Sequence, residues 1–304
     1  MRNFPENLAR YVRKNQRFFF DLVLQGQRFG NAFSEIGTKS VVDVRTRLEK
    51  SGSGYVLNGR KFYSAGALLA DWIPVIAKDE NDHTAIAFVE QGAEGLTLFD
   101  DWTSFGQRTT ASGTTILENV KVRPEHVIQH YLAFERPTTM GAIAQIIQAA
   151  VDVGIAKAAV RDTITFVRGQ TRPWIDSNVE QGYEDPLLLY NFGNVVLQVH
   201  AAEALLRRAG EYIDRAIPDL NETSVAEASI AVAEAKAQAT EASLLATNKL
   251  FELAGTKSTL QEYNYDRHWR NARAHTLHDP VRWKYYAVGN YFLNNVLPPR
   301  HPWL

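Results

Sequence analysis

The sequence predicts an α+β protein, a central β-barrel-like or orthogonal-sheet domain followed by a C-terminal four-helix bundle. Two observations carry this. Between residues 27 and 135 the apolar residues come in short runs closed by Gly, Pro, Asp or Asn, and after about Glu135 they recur at three- and four-residue spacing over long stretches. A stub of residues 1–26 reads as the end of a helix, with little to pack on by itself, so the expected division is 1–26, 27–135 and 136–304. At 304 residues the chain has room for two domains and would bury roughly 75% of the surface its unfolded form exposes.

The first strand is expected at 41–49, where Val42, Val44, Thr46 and Leu48 alternate with Asp43, Arg45, Arg47 and Glu49. A turn at 51–54 leads into 55–57, and Asn58-Gly59 predicts a hairpin turn before 61–64. Further runs at 72–77, 84–89, 96–99 and 114–122 complete a set that a barrel or two packed sheets would close. The first helix carries Ile143, Ile146, Ile147, Ala150, Val151, Gly154 and Ala158 on one face. The second runs from near Pro186 to before Pro218. Ser224 and Glu227, spaced as a capping box, open the third, which ends at Gly255. Asp279-Pro280 opens the fourth, with Val281, Tyr285, Val288 and Phe292 facing inward. Four long amphipathic helices make a bundle.

Lys plus Arg (33) and Asp plus Glu (34) nearly cancel, so no global field draws nucleic acid or an anionic membrane, and charge recognition falls to a specific pocket. The absence of cysteine removes disulfides, thiolate metal sites and cysteine nucleophiles, and is compatible with a cytoplasmic protein. Arg10, Arg13, Lys14 and Arg17 interrupt the apolar residues near the N-terminus, so no signal peptide is expected. No stretch approaches the ~20 apolar residues of a membrane helix, and a soluble protein is expected.

Three segments hold more polar functionality than packing requires. Residues 28–38, RFGNAFSEIGT, form a Gly-punctuated loop with Asn31, Ser34 and Thr38, of a kind that brings backbone donors close to a phosphate or a heteroaromatic ring, or simply connects two domains. In residues 100–113, DDWTSFGQRTTASG, the flat face of Trp102 lies beside the donors Arg108, Thr109, Thr110 and Ser112, which suits a flavin or nucleotide and equally an ordinary surface loop. Residues 266–279, DRHWRNARAHTLHD, place His268, His275 and His278 within eleven positions. Metal binding is disfavoured, since no glutamate follows in a zinc-hydrolase arrangement and no cysteine is available. Hydrogen bonding where helices pack is the simple alternative. His278 stands out because it precedes the Asp279-Pro280 helix start, where the helix dipole disfavours a second positive charge while Asp279 works in the opposite sense. A neutral imidazole there would hydrogen-bond an oxyanion and exchange protons near neutral pH.

In this order the three segments resemble the acyl-CoA dehydrogenase superfamily over nearly the whole chain. GNAFSE with GT (30–38) resembles the family's flavin loop, KFYSAG (61–66) the segment whose Ser or Thr touches the isoalloxazine, and WRN with ARAH (269–275) the stretch before the last core helix. Where many of its dehydrogenases carry a glutamate base in a Tyr-Glu-Gly-Thr motif, this chain reads Leu277-His278-Asp279-Pro280, which resembles the flavin-dependent monooxygenase branch. DDW at 100–102, Ser112-Gly113, RPW at 172–174 and EDP at 184–186 resemble the dibenzothiophene monooxygenase group, and LHDPVRWK and LPPRHPW the sulfur-acquisition oxidoreductases.

The resemblance implies a monooxygenase that takes reduced FMN from a separate flavin reductase, with FAD as the alternative cofactor, and oxygenates a small or aromatic organosulfur compound with O2 through a flavin C4a-(hydro)peroxide. It further implies that Ser34, Ser64, Trp102, Ser112, Arg172, Lys257 and His278 bind flavin, Arg172 reaching a neighbouring subunit of a tetramer. Lys257 stands where relatives have arginine, and lysine lacks the bidentate fork. Asn31, Ser64 and His278 would surround the reactive face, with His275 behind them. The family's N-terminal helical domain, which walls the substrate pocket, is expected to be mostly missing. An FAD-dependent acyl-CoA dehydrogenase-like oxidoreductase and a non-catalytic remnant are the rival readings.

Overall fold

A computed structural model describes residues 17–304; the signal-peptide expectation rests mainly on positions outside them. The chain forms two compact units, Met1–Thr103 with Arg108–Glu135, and Ser104–Gln107 with Arg136–Leu304.

The first unit holds β1 (Arg47–Ser51), β2 (Gly54–Lys61), β3 (Trp72–Lys78), β4 (Thr84–Glu90), β5 (Leu96–Leu98), β6 (Thr115–Val122) and β7 (Val127–Ile128). They make one sheet in the order β5-β6-β2-β1-β3-β4-β7. Its seam is thin: β1 meets β3 through the single parallel pair Arg47 and Lys78, whereas the other neighbours are antiparallel. Leu57, Leu117 and Val120 from one side of that seam share a core with Ile73, Val75 and Ala87 from the other, so the sheet folds over on itself in the barrel-like manner expected.

Two local expectations change. Alternation buries Val44, Thr46 and Leu48, but Val42 lies exposed in a turn ahead of the strand. Asn58-Gly59 is no hairpin turn: β2 runs straight through it, and the register against β6 shifts there as a bulge. The turn that reverses the chain is the one at 51–54, which pairs Ser51 with Gly54. Glycine at 59 admits the Thr46 side chain, whose Oγ1 would lie 2.3 Å from an added Cβ. The residues before the β region also find a partner. A helix described over residues 17–24, α1, buries Phe19 against Phe88, ring centroids 4.2 Å apart, and stacks Phe18 on His126.

The second unit is built on α2 (Met140–Gln170), α3 (Pro186–Ala216) and α4 (Glu222–Ala254), with the shorter α5 (Asp266–His275) and α6 (Arg282–Asn294). Three long helices and two short ones thus replace the four expected. The small residues of α4 are buried on nearly every face, and it packs against the four others as the central rod. Its capping box pairs Asn221 with Ser224, three residues ahead of the expected start, and Gly255 caps its end as anticipated.

The face α2 buries is not its branched one. Ala142, Ala149, Asp152, Val153, Ala156 and Ala159 point into the bundle, while Ile143, Ile147 and Val151 are exposed. Small side chains let α2 approach α4 closely, so close packing and not hydrophobic bulk selects the inner face. At 31 residues, with a mean hydropathy of 1.5 in its most apolar window, α2 also has the length and composition of a membrane span, contrary to the sequence expectation. Asp152, ion-paired at its centre, marks it as a bundle helix.

On α6 the buried residues are Lys284 and Ala287, with Tyr285 and Phe292 exposed. The chain end returns over the bundle: Gln145 Nε2 donates to the Pro302 carbonyl at 3.1 Å, Lys284 Nζ to that of Trp303, and Leu304 is buried.

Candidate active site

The β unit gathers hydroxyls and aromatic rings around the 61–66 and 110–115 segments. The Ser64 amide donates to the Gly113 carbonyl and that of Gly66 to Thr110, so the two loops run side by side. Ser64 is buried and its Oγ accepts from Thr115 Oγ1 at 2.8 Å. Ser112 Oγ and Thr110 Oγ1 lie 2.7 Å apart. Trp102 is half-buried and meets Tyr63 edge-on at 5.8 Å, and Phe62 lies against both rings, 4.7 Å from Tyr63 and 6.5 Å from Trp102. Tyr63 itself adopts a left-handed backbone, φ 56°, and so do Gln107 and Ala111. Such conformations persist in bulky residues only where the surroundings impose them, and they cluster at ligand sites.

The GNAFSE loop is locked to the same strands. The Phe62 amide donates to the Ser34 carbonyl at 2.9 Å, and Asn31 Oδ1 accepts from the Phe33 amide in a local turn. Glu35 reaches inward, where its carboxylate accepts from Lys61 Nζ at 2.7 Å, from the Thr46 amide and hydroxyl, and from the Arg45 amide. Burial raises the Glu35 carboxyl, but these donors outweigh it and hold it below its ordinary value. Burial has the upper hand at Lys61 and pushes its ammonium down.

In the helical unit the three histidines of the 266–279 segment each meet a carboxylate. His268 Nε2 lies 2.7 Å from Asp162. His275, at the last position of α5, places Nδ1 2.6 Å from Asp152, whose other oxygen accepts from Lys236 Nζ at 2.6 Å. Asp152 and Lys236 are wholly buried. His278 stands in the turn before α6, and its Nδ1 lies 3.1 Å from Asp279, whose other oxygen pairs with Lys284 Nζ at 3.1 Å. Asp279 therefore does not cap the helix, which starts three residues later at Arg282. Burial works against its charge, yet the hydrogen bond from His278 and the ammonium of Lys284 hold its carboxyl at about 2. His275 and His278 do not share a helical face; their rings stand 6.5 Å apart.

Arg172 and Lys257 lie elsewhere. Lys257 Nζ donates to Gln170 at the end of α2, and Thr171 Oγ1 to the Ala254 carbonyl at the end of α4, so both cations stand where these two helices finish. The helices run parallel, and eighteen residues separate Asp152 from Gln170, a distance of about 27 Å along the axis. Within one chain the structure does not bring this cationic end to the His275 and His278 cluster.

Nothing in the sequence singles out Asp152, Lys236 or Lys284, because their partners come from other helices. Glu35 and Lys61 sit inside the quoted motifs, and a charged residue opposite buried positions was the available signal.

These features define a flavoenzyme of the acyl-CoA dehydrogenase kind. Residues 31–120 match the middle domain of acyl-CoA dehydrogenases and residues 146–283 the C-terminal domain. The chain belongs to this family, in its flavin-dependent monooxygenase branch. It is 36% identical to a dibenzothiophene monooxygenase of Mycolicibacterium goodii, covering 88% of this chain and 68% of that one. It is 30% identical to a probable FMNH2-dependent monooxygenase, SfnC, of Pseudomonas putida, over 92% of this chain and 71% of that one. The crystal structure of FMN-bound TdsC from Paenibacillus sp. A11-2 superposes with a TM-score of 0.89 at 29% identity, covering 95% of this chain and 76% of that one.

Proposed function

We propose that this protein uses reduced FMN and O2 to oxygenate an organosulfur compound. The observation that carries the reading is the state of Asp279. It is the carboxylate in the stretch where the family's dehydrogenases hold their base, and here it is buried between His278 and Lys284 with its carboxyl held at about 2. A carboxylate so engaged is a poor base for a substrate α-proton, which disfavours the acyl-CoA dehydrogenase reading. An imidazole, half-exposed at His278, takes its place at the surface of the cluster.

The residues present suit a flavin. In the β unit the paired hydroxyls of Thr110 and Ser112, the hydroxyl of Ser64 and the face of Trp102 match a heteroaromatic ring with polar edges, and the GNAFSE loop offers Asn31 and Ser34. Arg172 and Lys257 suit a phosphate. Reduced flavin, delivered by a separate reductase, supplies the two electrons that take one atom of O2 to water while the other goes to sulfur. His278 would hold or return a proton through its imidazole, and within the β unit Asn31 and Ser64 would offer hydrogen bonds to the flavin. The long separation of Arg172 and Lys257 from His278 supports an oligomer, a tetramer on this reading, in which these cations serve a neighbour's flavin.

The test is turnover of dibenzothiophene with reductase-supplied reduced FMN under 18O2. One 18O atom per product sulfoxide supports the reading. Consumption of reduced flavin without labelled product, together with anaerobic bleaching of bound flavin by an acyl-CoA, sinks it in favour of the dehydrogenase.

A further inference from the structure

The two histidines beside α6 are built alike. His275, Asp152 and Lys236 form one chain of contacts, and His278, Asp279 and Lys284 form another, with each aspartate bridging an imidazole Nδ1 and a buried ammonium. Burying two carboxylates and two ammoniums in a helix bundle is costly, and well-packed apolar side chains do as well or better for stability alone. The arrangement has a further consequence. The two lysines already balance the two aspartates, so nothing in the cluster calls for an imidazolium as counter-charge. An ionised carboxylate only accepts hydrogen bonds, so an imidazole nitrogen held against it must carry the hydrogen.

We propose that Asp152 and Asp279 are positioning residues that fix His275 and His278 as Nδ1–H tautomers, each turning an unprotonated Nε2 away from its aspartate. At His278, half-exposed, that Nε2 is the atom available to exchange a proton with a ligand, whereas His275 is largely covered. Lys236 and Lys284 serve the same end one step back, each occupying the other oxygen of its aspartate. The part of the inference that concerns turnover rests on the monooxygenase reading, whereas the tautomers are a property of the flavin-free protein.

The experiment is an imidazole 1H–15N correlation spectrum of the flavin-free, 15N-histidine-labelled protein, with assignments from His275→Gln and His278→Gln. Both rings are expected to show the Nδ1–H pattern. Asp279→Asn is expected to release His278 to a mixture dominated by Nε2–H while His275 keeps its pattern, Asp152→Asn to do the converse, and Asp279→Glu to retain the wild-type pattern. An Nε2–H pattern for His278 in the wild type, or one that Asp279→Asn leaves unchanged, overturns the proposal. If Asp279→Asn does not fold, Asp279→Asn with Lys284→Met removes the unpaired ammonium and serves in its place. With dibenzothiophene and reduced FMN, Asp279→Asn is expected to lower kcat by about tenfold or more at unchanged Kd for reduced FMN, a fraction of the roughly 100-fold that a positioned acid or base contributes. A parallel loss of flavin affinity would contradict positioning. Should the wild type show no oxygenation, the functional reading fails while the spectra still decide the tautomers.

Discussion

Glu35 of the GNAFSE loop and Lys61 of the KFYSAG segment meet at 2.7 Å in the interior of the β unit, Lys61 with no exposed surface. The pair joins the two segments that the sequence marks as flavin-binding. It does so at little net gain in stability, because burial pushes Lys61 down while Glu35 is held ionised. Removing one partner strands the other. Glu35→Gln or Lys61→Met is expected to cost about 3–5 kcal/mol in urea unfolding, and the double variant less than either single one. A double variant as unstable as the sum of the two would show that the charges do not act as a pair.

The hydroxyl of Ser64 is oriented by Thr115 at 2.8 Å. Ser64→Ala is expected to cost about 1 kcal/mol of stability and to weaken reduced-FMN binding several-fold, read by denaturation and by equilibrium titration respectively. Unchanged affinity would remove Ser64 from the flavin site.

How much of this could be read from the sequence depends on how local the signal is. The alternation from Val44 through Leu48 correctly marked the inward-facing residues but not the strand, which is Arg47–Ser51, and helix ends were legible where Gly255 and Pro186 punctuate the chain. Asn58-Gly59 misled because the same dipeptide serves a tight turn or a bulge, and only the approach of Thr46 decides between them. The inner face of α2 was misread because Ile143 and Ile147 are the most apolar residues there, whereas contact with an alanine-rich α4 favours the smallest. His278 draws attention by its place before Asp279-Pro280, although the helix expected to open there starts three residues later, at Arg282. The role of Asp279 was not legible, since its partner Lys284 looks like a surface lysine until α6 turns it inward.

Acid should weaken the β unit through His126. Burial, with the Arg123 guanidinium behind it, pushes this imidazole below its ordinary 6.5. As pH falls below 6.5 the unfolded chain takes up the proton first, so the stability contributed by neutral His126 is full above that value and lost below it. Melting temperatures at pH 7.5 and 5.5 should show the drop, and His126→Phe should reduce it. An identical pH dependence in the variant would assign the effect elsewhere; His130 in the same unit, buried His268 and half-buried His301, shifted the same way, are the next residues to replace.

Segment Ser104–Gln107 is held on α5 by the Gln107 amide donating to Asn271 at 2.8 Å and by Phe105 stacked on Trp269. A Cβ at Gly106 would lie 1.9 Å from the Arg270 carbonyl. Gly106→Ala should therefore cost about 1–3 kcal/mol and expose the segment to limited proteolysis. Resistance equal to wild type would mean that the backbone shifts to accommodate the methyl.

The most direct test of the account is an anaerobic titration of the flavin-free protein with reduced FMN, followed by admission of 18O2 in the presence of dibenzothiophene, for wild type and His278→Gln. Saturable binding by both, labelled sulfoxide from the wild type and at most a trace from the variant is the predicted result. Absence of reduced-FMN binding, or equal labelled product from the variant, would contradict it.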